Sequence, residues 1–95
     1  MRAYENLYII RPDLDDEAIA ATVDKFTNVV ANNGGTEVTV DKWGKRRLAY
    51  EIKDYREGYY VLMNFEGEAR TAEELERMMK ISDDVLRFLT TKKED

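Results

Sequence analysis

A chain of 95 residues with formal net charge −5 has room for one domain around one core. With 43% hydrophobic and 37% charged residues it is no disordered polymer, and no run approaches the roughly 18 apolar residues of a membrane span. Zero cysteines and zero histidines exclude disulfides, thiolate zinc sites, thiol nucleophiles and the commonest general base and metal ligand.

The start, MRAYENLYII, passes from Met and Arg directly into strand-like sequence, so no signal peptide is expected and the expected setting is a cytoplasm. Ala3–Ile10 is aromatic and β-branched and stops at Arg11-Pro12, which reads as a first strand. From Asp15 to about Asn32 the apolar residues Ile19, Val23, Phe26 and Val30 mark one helical face. Asp15, Asp16 and Glu17 suit the positive end of that helix, and Gly34-Gly35 stop it. Thr36 to Ile52 reads as extended. Its 17 residues would span about 56 Å at roughly 3.3 Å each, too long for a domain whose radius of gyration should be about 12 Å. A bend is therefore expected, with Gly44 as its site.

A turn through KDYRE leads to a third strand, Gly58–Glu66. Thr71 and Glu74 have the spacing of a capping box opening a second helix, with Leu75, Met78 and Met79 on its inner face. Val85–Thr91 is a last strand, and KKED, residues 92–95, reads as a frayed tail to a single domain over 1–95. The order βαββαβ, with right-handed crossovers, predicts an α+β ferredoxin-like sandwich: a four-stranded antiparallel sheet with two helices on one face. Leu48 and Ile52 are expected in the core.

Charge is placed unevenly. Lys42 to Arg56 holds six cations and two acids, a local +4, leaving nine cations and eighteen acids, −9, for the rest. Four of those cations, Lys42, Lys45, Arg46 and Arg47, flank the only Trp, in DKWGKRRLAYEI. A basic strip on an acidic body suits selective contact with a polyanion or an acidic partner. It equally suits a solvated edge that resists aggregation. The open face of the sheet points to a partner more strongly. Tyr59, Val61, Met63 and Phe65 should face the helices, leaving Tyr60, Leu62, Asn64 and Glu66 opposite. Strand one adds two or more sizeable apolar residues to the open face whichever way it sits, making a patch that monomers seldom leave bare.

Enzyme readings fare poorly. An acylphosphatase-type phosphate loop after strand one would need amides and an arginine, yet RPDLDDE sets four acids after Arg11. There is no Gly-rich cradle, Walker pattern or HExxH helix. The carboxylate pairs Asp15-Asp16, Glu73-Glu74 and Asp83-Asp84 fit helix starts and a turn. An RNA-recognition module shares the topology, but EGYYVLMN puts Glu57, Tyr60 and Val61 where its strand-three signature needs a cation, a small residue and an aromatic.

Four collinear blocks, MRAYENLYIIRPDL, DKWGKRRLAYEI, EGYYVLMNFE and KISDDVLRFLTTK, together resemble the family of bacterial ribosomal protein six of the small subunit. The resemblance covers essentially the whole chain; the short tail TTKKED lacks the longer acidic extension of some members. It implies the same sandwich, no catalysis, no cofactor, no metal and no small-molecule substrate. It also implies binding to the central domain of small-subunit ribosomal RNA, jointly with ribosomal protein eighteen as a heterodimer, on the cytoplasmic ribosome and not at a membrane. On that footing Arg2, Lys80, Arg87 and Lys92 are the expected phosphate contacts. Trp43, Arg46, Arg47, Ala49, Tyr50, Tyr60 and Leu62 are the expected protein interface, with packing under its own hairpin as the rival reading for Trp43. The alternative is a generic βαββαβ interaction domain, self-associating through its open face; a phosphate-handling enzyme would have to turn over an acyl phosphate.

Overall fold

The computed structural model of the chain describes residues 1–93. Six elements follow in order: β1 (Arg2–Ile10), α1 (Asp16–Asn32), β2 (Thr36–Ile52), β3 (Tyr55–Gly67), α2 (Ala69–Lys80) and β4 (Val85–Lys92). The strands form one antiparallel sheet in the order β2-β3-β1-β4. Both helices pack on one face, which gives the ferredoxin-like sandwich expected from the element order.

The register decides which side of β1 meets the helices. Tyr8 sits between Val61 of β3 and Phe88 of β4, and Ile10 opposite Tyr59, so Tyr4, Asn6, Tyr8 and Ile10 point inward. Tyr4, Tyr8 and Ile10 join Val61, Met63, Phe65, Ile19, Val23, Phe26, Val30, Leu75 and Met79 in the main core, and Asn6 is fully buried on the same side. Ala3, Glu5, Leu7 and Ile9 are left on the open face.

Asp15 caps α1 by accepting the Ala18 amide at 2.8 Å, which explains the acid run at that point. The second helix departs from expectation. It begins at Ala69, two residues before Thr71, and Glu68 at its N-cap makes no side-chain cap. Thr71 is buried, and its hydroxyl donates at 2.7 Å to the carbonyl of Asn33 at the end of α1. Glu74 pairs with Arg77, 3.0 Å from its Nε. No capping box forms because its threonine tethers one helix to the other.

Sixteen steps along β2 from Thr36 to Ile52 face eleven along β3 from Glu66 to Tyr55. The surplus is taken up in three irregularities, one of them at Gly44, whose φ of +85° suits glycine. The bend expected of this strand is thus distributed. The hairpin is also tighter than KDYRE suggested: Lys53 and Asp54, both at positive φ, form a two-residue turn, and β3 starts at Tyr55. β4 extends through Lys92, and the Lys93 amide donates to the Ala3 carbonyl at 2.8 Å. Two residues of the expected frayed tail are therefore paired, while Glu94 and Asp95 lie outside the described residues.

The bent hairpin curls over one end of the open face. Leu48 is buried there with Ile9 of β1 and Leu86 of β4, flanked by Ile52, Tyr55 and Tyr60. Leu48 and Ile52 therefore belong to a second, smaller cluster on the opposite side of the sheet from the main core. Gly58 makes the close approach possible, because a Cβ there would lie 2.2 Å from Ile9 Cγ2. Gly58→Ala is expected to lower stability by about 1–3 kcal/mol through overpacking. A denaturant titration checks this, and an unchanged midpoint would contradict the close-packed second cluster.

The loop after β1 is fixed by charge. Arg11 Nε donates to Asp13 at 2.8 Å, Tyr55 Oη donates to the same carboxylate at 3.1 Å, and Arg11 lies 3.7 Å from Asp84. The Arg11 hydrogen bond, with help from Tyr55, holds the Asp13 carboxyl below the usual range. A carboxylate depressed in the folded state contributes stability at pH values above its unfolded pKa, and that contribution is lost as the pH falls through the folded value. The stability gap between the natural chain and Arg11→Met should therefore narrow below about pH 4, where carboxylates protonate. A gap constant from pH 6 to pH 2 in thermal melts would rule this out.

Candidate protein and nucleic-acid interface

The open face is ordered in rows by the sheet register. Leu62 of β3, Leu7 of β1 and Leu89 of β4 are direct cross-strand partners, a line of three leucines across the sheet. Leu62 and Leu7 are half-buried and Leu89 is 65% exposed. On one side of this line lie Asn64, Glu5 and Thr91, followed by Glu66 opposite Ala3, while Asp41 of β2 pairs with Leu62 itself. On the other side lie Tyr60, Ile9 and Arg87. The face thus carries an apolar bar with Glu5 and Glu66 on one side and Arg87 on the other.

Trp43 stands on the bulged part of β2. Its ring lies parallel to that of Tyr60, 8° apart with centroids at 6.3 Å, and its Nε1 donates to Asp41 at 3.2 Å. The Arg46 guanidinium sits 4.9 Å from the Trp43 ring centroid, a cation–π contact. Trp43, Arg46, Tyr60 and Leu62 are therefore brought together, and the indole packs on its own hairpin while remaining half-exposed. Tyr60 is half-buried, with the Trp43 ring beside it. Arg47 and Tyr50 line a shallow surface depression with Leu48, Glu51 and Arg56, and Ala49 between them is exposed. Tyr50 is 59% exposed, yet it reaches across the curl to β4: its hydroxyl accepts a hydrogen bond from Arg87, whose guanidinium also lies 5.7 Å from the ring centroid.

The four expected phosphate contacts divide into two pairs. Arg2 opens β1, and Lys92 pairs with Tyr4 of the same strand. Lys80 and Arg87 line one pocket at the far end. The eight steps from Arg2 to Ile10 separate those ends by roughly 26 Å at 3.3 Å per residue. Sequence reasoning missed Leu7 and Leu89, which only the register identifies as open-face neighbours of Leu62. It also missed Lys53, which joins Lys80 and Arg87 through the curl of the hairpin.

No group of three or more Asp or Glu among the described residues is placed to hold a metal ion. No helix among them is long and apolar enough to cross a membrane.

Comparison with known proteins bears on what such a face is for. A family model described as ribosomal protein S6 matches residues 3–92. The small ribosomal subunit protein bS6 of Desulfitobacterium hafniense is 77% identical over 95 residues, covering 100% of both chains. That of Moorella thermoacetica is 55% identical over 95 residues, 100% of this chain and 97% of its own. The crystal structure of 30S ribosomal protein S6 from Thermotoga maritima superimposes with a TM-score of 0.88 at 26% identity, over 97% of this chain and 87% of that one. From the sheet order to its sequence blocks, the chain belongs to the ribosomal protein S6 family of the small ribosomal subunit.

Proposed function

We propose that the chain acts as one domain, a structural part of the small ribosomal subunit, binding central-domain rRNA jointly with ribosomal protein eighteen. It is a ribosomal protein, not an enzyme, and its place is the cytoplasmic ribosome of a bacterium. The observation that carries the joint binding is the open face: a bar of Leu62, Leu7 and Leu89 beside the Trp43–Tyr60 stack, on a sheet whose other face is filled by helices. Contiguous apolar surface of this kind marks an interaction site. Glu5 and Glu66 on one side of the bar and Arg87 on the other would orient a partner on it.

Ribosomal protein eighteen would cover Trp43, Arg46, Arg47, Ala49, Tyr50, Tyr60 and Leu62, together with Leu7 and Leu89. Arg2 and Lys92 at one end, and Lys80 and Arg87 at the other, would hold rRNA phosphates, which fix position without reading sequence. An acidic chain with so few grouped cations binds RNA weakly alone, which is why the partner is needed.

Sedimentation of an equimolar mixture with ribosomal protein eighteen tests the pairing. A 1:1 complex is expected. Two independent boundaries at micromolar concentration would overturn it, and a homodimer of this chain would favour the generic interaction domain instead, for which Leu89 is the exposed anchor.

A further inference from the structure

A pocket of about 290 Å³ opens where the hairpin turn, the end of α2 and the start of β4 converge. Its floor is apolar, from Met79, Val85 and Leu86, and its charged lining is Lys53, Lys80 and Arg87 alone. These three come from three separate elements, so no local pattern along the chain groups them. Lys80 complements the negative end of its helix, but Lys53 and Arg87 lie on other elements and have no such role. Among the described residues, no carboxylate comes within 4.0 Å of any of the three. Of the acids nearby in sequence, Glu51 pairs with Arg56 at 3.0 Å and Asp84 with Arg11 at 3.7 Å, while Asp54, next to Lys53 in the turn, and Asp83 lie more than 4.0 Å from all three cations.

Among the described residues, four of the fifteen lysines and arginines, Arg11, Arg56, Arg77 and Lys93, pair with a carboxylate; what sets Lys53, Lys80 and Arg87 apart among the others is that they line one concavity. Clustered cations repel one another, so the arrangement is stabilised by an anion that enters between them. We propose that Lys53, Lys80 and Arg87 form a single clamp for a backbone phosphate group of rRNA, with Lys53 delivered by the turn of the curled hairpin. Tyr50 is a positioning residue: its ring and hydroxyl hold Arg87 at the clamp's mouth. The clamp rests on the rRNA-binding reading above and adds to it a residue, Lys53, and a geometry in which the hairpin curl completes the site.

The test uses the full chain with ribosomal protein eighteen and central-domain rRNA, titrated at several salt concentrations. Lys53→Gln should weaken binding by roughly 3- to 10-fold at moderate salt and lower the slope of log Kd against log salt by about 1, the signature of one lost phosphate contact. Lys53→Arg should keep both the slope and the affinity. Lys25→Gln, on the helical side of the domain, should change neither. Tyr50→Phe should weaken binding by about 2-fold without changing the slope, because the charge remains. If Lys53→Gln binds as the natural chain does, or loses affinity with an unchanged slope, the clamp is overturned while rRNA binding stands. If the natural pair fails to bind the RNA at all, the underlying reading fails, and that outcome is distinct.

Discussion

Lysine in place of Leu62 is expected to weaken association with ribosomal protein eighteen by roughly 100-fold, or about 3 kcal/mol, while leaving the fold intact. The reasoning starts from position. Leu62 is the β3 member of the leucine line, half-buried in the free chain and flanked by Leu7, Asp41 and the Trp43–Tyr60 stack. In the free protein a lysine there keeps its aliphatic stem on the sheet and lifts its ammonium into water, a small cost. Beneath a partner the same ammonium is trapped without water, beside an Asp41 carboxylate that already accepts from Trp43 Nε1, and the penalty for a poorly paired buried charge is several kcal/mol. Calorimetric titration of the variant, beside its own thermal melt, separates the two effects. Equal affinity for Leu62→Lys and the natural chain would show that the open face is not the interface.

The second large effect is on stability. Phe26 is fully buried on α1 and meets Tyr8 of β1 edge to face, with centroids 5.5 Å apart and planes at 70°. Removing its ring deletes apolar contact from both layers of the sandwich and leaves a hole that Val23, Val30 and Leu75 cannot fill without moving off their helical positions. Phe26→Ala should cost about 3–5 kcal/mol. For a domain of this size that corresponds to a fall in Tm of roughly 15–25 °C. A loss under about 1 kcal/mol in denaturant melts would mean that the helical layer and the sheet do not share the main core. The two substitutions act on opposite faces of one sheet, and their effects should add, since neither residue shares a partner with the other.

The sandwich was legible in the sequence because its signals are periodic and local. Ile19, Val23, Phe26 and Val30 step at helical spacing, Tyr59, Val61, Met63 and Phe65 alternate, and each element sorts to one face on that evidence. Where reading went astray, a long-range contact outweighed a local pattern. Thr71 has capping-box spacing with Glu74, but a carbonyl at the end of α1 claims its hydroxyl. The turn narrowed from KDYRE to Lys53-Asp54 because Tyr55 is drawn into the strand, where its hydroxyl meets Asp13. Leu48 reads as an ordinary core residue, and only the curl of β2 places it on the far side of the sheet.

The candidate site shows the same division. The basic aromatic strip around Trp43 stands out in composition, and Tyr60 and Leu62 follow from strand alternation. Leu7 becomes their neighbour only once the inward side of β1 is known, and Leu89 only once β4 is registered against Leu7. Arg2 and Lys80 lie at opposite ends of the domain because α2 runs away from the start of β1, a fact of topology that no spacing along the chain conveys. Lys53 was invisible as a site residue because its partners, Lys80 and Arg87, come from elements 27 and more positions later.

Joint recognition of RNA is tested by one titration: central-domain small-subunit rRNA at moderate salt with this protein alone, ribosomal protein eighteen alone, and the two together. Tight binding is expected only for the pair, with this acidic chain alone binding at least tenfold more weakly. Equal affinity for this protein alone and for the pair would contradict it.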